Sequence, residues 1–346
     1  PRGLSSTKMD NRIISTAIHL QRDNEEKEVI LVSNDINLRI IADAFEIKAE
    51  EHRSDRIETQ NLNKGYKEIE VGAELIDKFY KQEKIEIDDL STELELYHND
   101  FVQLSAVDRN SNTALGRYDG EKIVPLMFDK AHPSGIKPLN REQTFALELL
   151  LNNDINLVTI SGKAGTGKTL LALACGLSRV LTKNDYKRLL VARPVVPMGK
   201  DIGFLPGSKE EKMQPWMEPI FDNLEFILNQ NKNSDYTYKQ LIEDELIQIE
   251  ALTYIRGRSV PEQFIIIDEA QNLSKHEVKT IVTRAGQGSK IIFTGDPYQI
   301  DNPYLNLYKN GLTYLAHKFH DQKIAGHIML KQGERSELAQ VASQIL

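Results

Sequence analysis

The chain has 346 residues, of which 40% are hydrophobic and 27% are charged, and its formal net charge is -8. These values describe a globular protein long enough for two domains and a small third one. No apolar run approaches the roughly 18 residues that a membrane span needs, so we expect no membrane contact. The acidic net charge gives no general attraction for nucleic acid, so any such binding requires a local basic patch.

The cysteine content indicates a reducing compartment, and we expect a cytoplasmic protein. The single cysteine, Cys175, excludes an intramolecular disulfide. It lies in the helical pattern LLALACGLSRVL, which predicts a small buried hydrophobic residue. The chain opens with neither an initiator Met nor a signal peptide. We therefore expect a fragment whose first segment is missing.

Three regions follow one another along the chain. Residues 1–62 read as helix, strand and helix in DNRIISTAIHLQ, EVILVS and NDINLRIIADAFEI. Residues 63–135 contain short, charge-rich pieces separated by Gly and Asn, which indicates a small β-rich module that ends in the linker HPSGIKPLN. In residues 136–346, short apolar runs alternate with helical segments, which is typical of parallel strands covered on both faces. The pattern predicts an α/β fold.

The first apolar run of the third region, INLVTIS, leads directly into GKAGTGKTLLALACGL. The segment fits the phosphate-binding pattern G-x-x-x-x-G-K-[ST] in its required setting of strand, loop and helix. Backbone N–H groups of such a loop surround phosphate oxygens, the lysine reaches the β- and γ-phosphates, and the last hydroxyl binds Mg²⁺. The pattern therefore predicts a P-loop NTPase. The predicted nucleotide contacts are Gly162, Lys163, Ala164, Gly165, Thr166, Gly167, Lys168 and Thr169.

Two adjacent carboxylates end the apolar run of FIIIDEAQN. We expect Asp268 to hold Mg²⁺ and Glu269 to orient and deprotonate the attacking water, since parallel sheets place ligands at the carboxyl ends of their strands. Neighbouring strand residues point to opposite faces, so a purely structural pair would bury one charge at a cost of several kcal/mol. The alternative is a solvated strand end. The pair favours hydrolysis over transfer to a small metabolite.

The next apolar run, KIIFTGDPYQ, turns abruptly polar at its end. We expect this end to lie beside the carboxylate pair. Gln299 is then placed to hydrogen-bond the γ-phosphate or the attacking water, and Asp296 to tie the loop to its neighbours. The segment is interpreted as a sensor that passes the presence of the γ-phosphate to a bound polymer.

The motifs occur in an order that resembles the PhoH-like ATPase family across residues 136–346. They are GKAGTGKT, LLVARPVVPMGKDIGFLPGSKEEKMQPW, IIIDEAQN, FTGDPYQID and LKQGERSELA. The family's core is similar to the first motor lobe of superfamily 1 helicases, whose DEAQ and TGDxxQ motifs match residues 268–271 and 295–299. The resemblance implies a RecA-like parallel sheet with helices on both faces, with ATP and Mg²⁺ as ligands and single-stranded RNA as partner.

The same resemblance assigns a segment that reads adenine. Asn140, Arg141 and Gln143, in LNREQTFAL, look like the segment that precedes the phosphate loop in this family. Gln143 would pair with the edge of the base. Its alternative role is that of an exposed residue at a helix start.

Four arginines are candidates for contacts with phosphate or polymer. Arg193, in VARPVVP, matches a helicase residue that touches polymer backbone or γ-phosphate, or it simply pairs with a carboxylate. Arg335, in GERSEL, matches the family's terminal arginine and is a candidate arginine finger. Arg256 and Arg258, in YIRGRSV, are further candidates for a finger or a backbone clamp. The alternative for each is a surface ion pair.

The N-terminal region resembles the back half of a PIN-type ribonuclease domain, in which acidic residues hold Mg²⁺ or Mn²⁺ for phosphodiester hydrolysis. Asp10 and Asp35 match two of those positions, and the remaining acidic residues of the family would lie before Pro1. Each aspartate also precedes a helix and would serve as an N-cap. The region is therefore interpreted as a partial PIN-like domain.

The leading functional prediction is an ATPase that couples hydrolysis to RNA unwinding or remodelling and feeds an attached ribonuclease. The rival is a nucleotide-gated oligomeric switch without motor activity, and the third is a small-molecule kinase, which the DEAQ and TGDxxQ motifs disfavour. About 180 residues follow Thr169, with one set of sheet strands and no second lobe. We therefore expect a closed ring, favoured as a hexamer, in which a neighbouring subunit supplies the missing arginine.

Overall fold

The computed structural model describes residues 9–24, 26–33, 35–50, 63–81, 83–90, 94–107, 113–194, 209–230, 236–252 and 260–333. The chain divides into two compact units, Pro1–Glu58 and Thr59–Leu346. Among the described residues, no helix combines the length and the apolar character that crossing a bilayer requires.

The first unit contains two helices and a pair of parallel strands. Its elements are α1 (Met9–Asp23), β1 (Ile30–Val32), α2 (Ile36–Ala44) and β2 (Lys48–Glu50). Helix α1 buries Ile14, Ala17 and Ile18, whose spacing of three and four residues places them on one face. The predicted helix, strand and helix are present, and β2 adds a second strand.

A five-stranded sheet opens the second unit. Its elements are β3 (Tyr66–Val71), α3 (Ala73–Tyr80), β4 (Ile85–Glu86), β5 (Phe101–Ala106), β6 (Thr113–Tyr118) and β7 (Lys122–Pro125). The strand order is β3-β5-β6-β7-β4, in which β3 and β5 are parallel and the other pairs antiparallel. Helix α3 buries Ile76 and Phe79 against this sheet. The predicted β-rich module is therefore present.

The larger sheet has six strands and is parallel throughout, with the order β10-β9-β11-β12-β8-β13. Its strands are β8 (Leu157–Gly162), β9 (Arg188–Arg193), β10 (Ile247–Ala251), β11 (Gln263–Ile267), β12 (Lys290–Gly295) and β13 (Ala325–Leu330). The helices described with it are α4 (Arg141–Leu151), α5 (Lys168–Leu177), α6 (Lys209–Gln230), α7 (Tyr238–Glu243), α8 (Lys275–Val282) and α9 (Gly311–Lys318).

Two hydrophobic cores cover the two faces of the six-stranded sheet. Alternate residues of β11 separate between them, because Phe264 and Ile266 join one core while Ile265 and Ile267 join the other. The first core contains side chains of α4, α5 and α6, and the second contains side chains of α8 and α9. The predicted parallel sheet with helices on both faces is confirmed. Cys175 is fully buried in the first core, as its sequence context predicts.

The β-rich module contacts the six-stranded sheet along its edge strand β13. Asn99 donates through Nδ2 to the carbonyl oxygens of Lys323 at 2.9 Å and Ala325 at 2.7 Å. The buried ring of His327 lies between the two parts, with Nε2 at 3.0 Å from the Asn63 carbonyl and Nδ1 at 2.8 Å from Thr159 Oγ1. The module is thus fixed to the edge strand by buried hydrogen bonds.

A buried lysine joins strand β12 to the end of helix α4. Lys290 is fully buried, and its ammonium donates to the carbonyl oxygens of Leu149 and Asn152, each at 2.7 Å, and to that of Ile155. These carbonyl groups lie at or just beyond the helix end, where backbone acceptors lack helical partners. The amino group therefore bonds backbone acceptors around the end of α4 and holds the helix against the sheet.

Candidate functional site

The phosphate loop joins the end of β8 to the start of α5. Gly162, the last residue of β8, has φ of 153°, and a Cβ built there would lie 2.3 Å from the Leu330 carbonyl oxygen of β13. Only glycine fits at such a distance. Thr166 stabilises the loop from within, because its hydroxyl donates to the Lys163 carbonyl at 2.9 Å. The loop thus has the strand–loop–helix setting that its sequence pattern predicts.

The side chain of Lys168 turns back toward this loop. Its ammonium donates to the carbonyl oxygens of Gly162 at 2.7 Å and Lys163 at 2.9 Å. The side chain is buried, and its positive charge adds to that of the N-terminus of α5. This end of the cleft is therefore suited to anionic phosphate groups.

Asp268 is the carboxylate nearest to the phosphate loop. Its Oδ1 accepts from Thr169 Oγ1 at 2.8 Å and from Thr294 Oγ1 at 2.6 Å. A hydroxyl and a carboxylate at this distance are the hard oxygen donors that Mg²⁺ prefers, and the ion commonly takes its remaining ligands from phosphates and water. The pair fits a nucleotide-bound magnesium ion. Within the described part of the chain, no group of three or more His, Cys, Asp or Glu side chains is arranged to hold a metal.

Glu269 occupies a turn, and its geometry corrects one expectation. Strand β11 ends at Ile267, and Glu269 has left-handed backbone angles, with φ of 55° and ψ of 38°. The two carboxylates therefore do not alternate across a strand, and both line the same cleft. A left-handed conformation in a residue other than glycine costs about 1–3 kcal/mol, and such strain is concentrated at functional sites.

Arg193 and Gln271 hold the Glu269 carboxylate from both sides. Arg193 Nη2 donates to Oε1 at 3.0 Å, and Gln271 Nε2 donates to Oε2 at 2.5 Å. Arg193 also donates to the Trp216 carbonyl of α6 at 2.9 Å. Of the two alternatives for Arg193, the structure therefore shows the pairing with a carboxylate. The carboxylate is held in one orientation.

Gln271 connects the turn after β11 to the end of β12. Its amide Nε2 also donates to the Gln299 carbonyl at 3.0 Å, while its Oε1 accepts from the Asp296 N–H at 3.1 Å. The side chain is fully buried, and a Cβ at Gly295 would lie 2.2 Å from Oε1, so glycine at that position makes room for the amide. Gln271 belongs to the DEAQ motif, but the sequence indicates no contact for its side chain.

The end of β12 places its polar residues as predicted, beside the carboxylates. The Asp296 carboxylate accepts from the Tyr298 N–H at 3.0 Å, and its carbonyl accepts from the Gln299 N–H at 3.1 Å. Asp296 thus ties its own loop together. Gln299 lines the cleft together with Asp268 and Glu269.

Gln143 is buried, which rules out the exposed alternative. Its Oε1 accepts from the Leu139 N–H at 2.8 Å, and its Nε2 donates to the Thr166 carbonyl of the phosphate loop at 3.1 Å. Asn140 caps α4 by accepting from the Gln143 N–H at 2.9 Å. Arg141 contacts the β-rich module instead of the cleft, with Nη2 at 2.6 Å from Glu68 Oε1.

A cleft of about 460 Å³ contains most of the predicted site, and we call it the nucleotide cleft. Its lining includes residues that the motifs did not indicate, namely Ile136 and Leu139 before α4 and Asn223 of α6. Ile136 and Leu139 lie next to the segment matched to adenine reading, so the sequence offered a signal by which they could have been found. The sequence offered no such signal for Asn223, since it lies inside a long helix. The predicted residues that line the cleft are Gln143, Ala164, Gly165, Gly167, Lys168, Thr169, Asp268, Glu269, Asp296 and Gln299.

Three predicted residues of the phosphate loop, Gly162, Lys163 and Thr166, are not among the residues that line this cleft. Arg256, Arg258 and Arg335 lie outside the described residues. Asp35 caps α2, with Oδ1 accepting from the N–H groups of Asn37 at 2.8 Å and Leu38 at 3.2 Å. Asp10 lies in the first turn of α1 and is exposed. The capping role is thus observed for Asp35.

Comparison with known families gives two matches. Residues 135–346 match the family described as PhoH-like protein, and residues 2–53 match the PIN domain. Both resemblances inferred from the motifs are confirmed.

Two named relatives match nearly the whole chain. Protein PhoH2 of Bacillus subtilis (strain 168) is 50% identical over 344 residues, which are 97% of this chain and 77% of that protein. Protein PhoH2 of Mycolicibacterium smegmatis is 33% identical over 347 residues, covering 100% of this chain and 76% of the relative.

Solved structures give a weaker likeness. The large terminase of a thermophilic bacteriophage, in complex with ADP, has a TM-score of 0.37 at 15% identity. The likeness covers 60% of this chain and 50% of the terminase chain.

Proposed function

The chain belongs to the PhoH-like protein family, and on that premise we propose that it is an ATPase whose hydrolysis cycle unwinds or remodels single-stranded RNA. One observation carries the proposal. The nucleotide cleft is lined by the phosphate loop, by Asp268 and Glu269, and by Gln299 of the polar segment after β12. A phosphate site, a candidate base and a candidate sensor therefore share one cleft.

ATP binds with its phosphates over the loop between β8 and α5. The backbone N–H groups of the loop and the start of α5 face the phosphate oxygens, and Lys168 exchanges its two carbonyl partners for the β- and γ-phosphates. The buried amide of Gln143 fixes the segment before α4 to the loop. Ile136 and Leu139 supply apolar surface to the cleft for the base.

Thr169 and Asp268 are the residues that would hold Mg²⁺. When bound, the ion neutralises charge on the β- and γ-phosphates. Thr294 orients Asp268 through the 2.6 Å hydrogen bond to Oδ1, which fixes the carboxylate toward the loop. These residues keep the metal side of the cleft in place.

Glu269 acts as the general base on the attacking water. Arg193 and Gln271 fix both of its oxygens, and release from one of them frees an oxygen to accept the proton. Gln271 also bonds the Gln299 carbonyl, so movement at the base is transmitted to the segment after β12. This connection is the proposed route between hydrolysis and the bound RNA.

ATP turnover measured with and without single-stranded RNA tests the proposal. RNA should raise turnover in the unaltered chain, because the segment after β12 couples the polymer to Glu269. The Glu269→Gln variant should bind ATP but show no stimulated turnover. Turnover that is the same at every RNA concentration would contradict the motor function.

A nucleotide-gated switch is the second candidate, and the Arg193–Glu269 ion pair favours it. ATP hydrolysis is slow when both oxygens of the general base are occupied. A slow cycle suits a module whose oligomeric state changes with the bound nucleotide. Slow turnover that RNA does not affect, together with a change of oligomeric mass on ATP binding, would support the switch.

Assembly and nuclease activity complete the proposal. The subunits form a closed ring, favoured as a hexamer, in which Arg335, Arg256 or Arg258 of a neighbour reaches the nucleotide cleft. The PIN-like region cleaves RNA delivered by the ATPase, and Asp10 and Asp35 would hold the Mg²⁺ or Mn²⁺ that this chemistry uses. The PIN match over residues 2–53 supports this part.

A further inference from the structure

The loop after β12 exposes two aromatic rings. Tyr304 is 90% exposed and Tyr298 is 60% exposed. An aromatic side chain has a large apolar body, and a ring so fully hydrated gains free energy when a flat partner covers it. The two tyrosines stand six residues apart on the segment 296–310, which we call the tyrosine loop.

The backbone of the tyrosine loop is held in place by side-chain hydrogen bonds. Asn272 Oδ1 accepts from the N–H groups of Asp301 at 2.8 Å and Asn302 at 3.2 Å. Asn302 Oδ1 in turn accepts from the Tyr304 N–H at 3.1 Å. A loop fixed in this way presents its rings at a low entropy cost to whatever binds them.

The same contacts connect the rings to the nucleotide cleft. Asn272 lies three residues after Glu269, in the turn that follows β11. Tyr298 directly precedes Gln299, and its N–H donates to the Asp296 carboxylate at 3.0 Å. Each tyrosine therefore stands on a backbone segment that is bonded to a residue in or beside the cleft.

The tyrosine loop belongs to a stretch of sequence with more Lys and Arg than Asp and Glu, unlike the chain as a whole. Residues 271–318 contain six Lys and Arg residues against three Asp and Glu residues, a formal charge of +3 in a chain of net charge -8. Lys290 and Asp296 are both buried, and leaving out this one basic and one acidic residue keeps the formal charge of the segment at +3. Its remaining basic residues are Lys275, Lys279, Arg284, Lys309 and Lys318.

We propose that Tyr298 and Tyr304 stack on bases of single-stranded RNA bound across the tyrosine loop. The inference rests on the proposed function and names residues that contact the polymer. Nucleic acid fits better than protein, because two separate exposed rings on a polar loop suit one base each, whereas a protein partner needs a continuous patch of about 800 Å² per side. Stacking also tolerates any base, since every base has a π face.

RNA affinity of four variants of the full chain tests this inference. The probe is a fluorescein-labelled oligouridine, and its binding is followed by anisotropy with a non-hydrolysable ATP analogue present. Tyr304→Ala and Tyr304→Leu should each raise the Kd about tenfold, because neither side chain stacks. Tyr304→Phe should keep the original Kd, since the ring remains. Tyr236→Ala, which removes a 50% exposed ring next to α7, is the control and should leave the Kd unchanged.

Three outcomes would overturn the inference. An unchanged Kd in both Tyr304→Ala and Tyr304→Leu would remove the stacking role, while binding by the unaltered chain would leave the proposed RNA function in place. A smaller mass of Tyr304→Ala in light scattering, with its RNA affinity unchanged, would identify the ring as a contact between copies of the chain. Absence of RNA binding by the unaltered chain would contradict both proposals.

Discussion

Lys168 and Glu269 carry opposite charges within one cleft, and their replacement should have different effects. Lys168 supplies positive charge where the phosphates lie, so it acts on both binding and hydrolysis. Glu269 lines the same cleft, and its proposed role is to activate the attacking water, so we expect its effect to be confined to the chemical step.

At the residue scale we expect Lys168→Ala to weaken ATP binding and lower turnover roughly 10³-fold, because the charge at the β,γ-phosphate bridge is lost. A fluorescent ATP analogue and a phosphate-release assay measure the two effects. Lys183→Ala is the control, since it removes an exposed lysine that does not line the cleft. Unchanged turnover in Lys168→Ala would refute the assignment of the phosphate site.

Glu269→Gln should keep ATP affinity but lose roughly 10² or more in kcat, because the amide cannot accept the proton of the attacking water. The amide keeps the size of the carboxylate and one oxygen for Arg193. Single-turnover kinetics separate the loss in the chemical step from changes in binding. If ATP binding were lost as well, Glu269 would be a binding residue instead of the base.

At the element scale, the turn after β11 and the segment after β12 act as one connected unit. The bond between them runs from the Gln271 side chain to the backbone of Gln299, so it does not depend on the Gln299 side chain. Replacing Gln271 therefore removes the bond between the two segments, whereas replacing the Gln299 side chain leaves it in place.

We expect Gln271→Ala to abolish stimulation of turnover by RNA while ATP affinity stays the same, because the amide that joins the two segments is lost. Gln299→Ala should also uncouple turnover from RNA, by removing the contact to the γ-phosphate or the water. Gln299→Ala keeps the backbone bond, so its Tm should match that of the unaltered chain, whereas that of Gln271→Ala should fall. Full stimulation in Gln271→Ala would rule out this route.

The sequence was sufficient to predict the parallel sheet and the residues of the phosphate loop, since both depend on local patterns. Continuous apolar runs predict buried strands, and the glycine spacing of the loop is required by close backbone contact. The partners of Arg193 and Gln143 could not be predicted, because each bonds a residue distant in the chain. The left-handed turn at Glu269 was also missed, since a strand pattern does not show where its last residue leaves the strand.

At the scale of the whole molecule, the β-rich module and the six-stranded sheet share the buried ring of His327. Burial lowers the pKa of His327 to about 4, from an ordinary value of 6.5. The ring is bonded as a neutral group, since Nε2 donates to the Asn63 carbonyl and Nδ1 lies beside Thr159 Oγ1. Protonation of His327 in the folded protein therefore disrupts the buried hydrogen bonds that the neutral ring makes.

The free energy of unfolding should fall as the pH drops from 6.5 towards 4. His327 takes up a proton near pH 6.5 in the unfolded chain and only near pH 4 in the folded chain. The stability that the neutral ring contributes is therefore intact above pH 6.5 and is lost progressively as the pH falls from 6.5 to 4. The loss approaches about 3 kcal/mol near pH 4. Urea unfolding at several pH values measures it, and His327→Gln should flatten the dependence, whereas the exposed His276→Gln should not. Equal slopes for both variants would assign the effect to other groups.

We also expect two inactive variants to restore activity when their subunits are mixed. Glu269→Gln lacks the base and Arg335→Ala lacks the proposed finger, but a mixed ring contains some sites with an intact base and an intact neighbouring arginine. Partial recovery of ATPase activity would support completion of the site by a neighbour. A fully active monomer in light scattering would end the ring proposal.

Lys290 makes the packing of α4 on β12 accessible to chemical labelling. Amine-acylating reagents modify lysines that water reaches, whereas the ammonium of Lys290 is fully buried and bonded to carbonyl oxygens at the end of α4. Acylation at this position requires α4 to separate from the sheet. The rate at which Lys290 is acylated, followed by mass spectrometry, therefore measures how often α4 separates from the sheet. The same helix contains Gln143, which lines the nucleotide cleft.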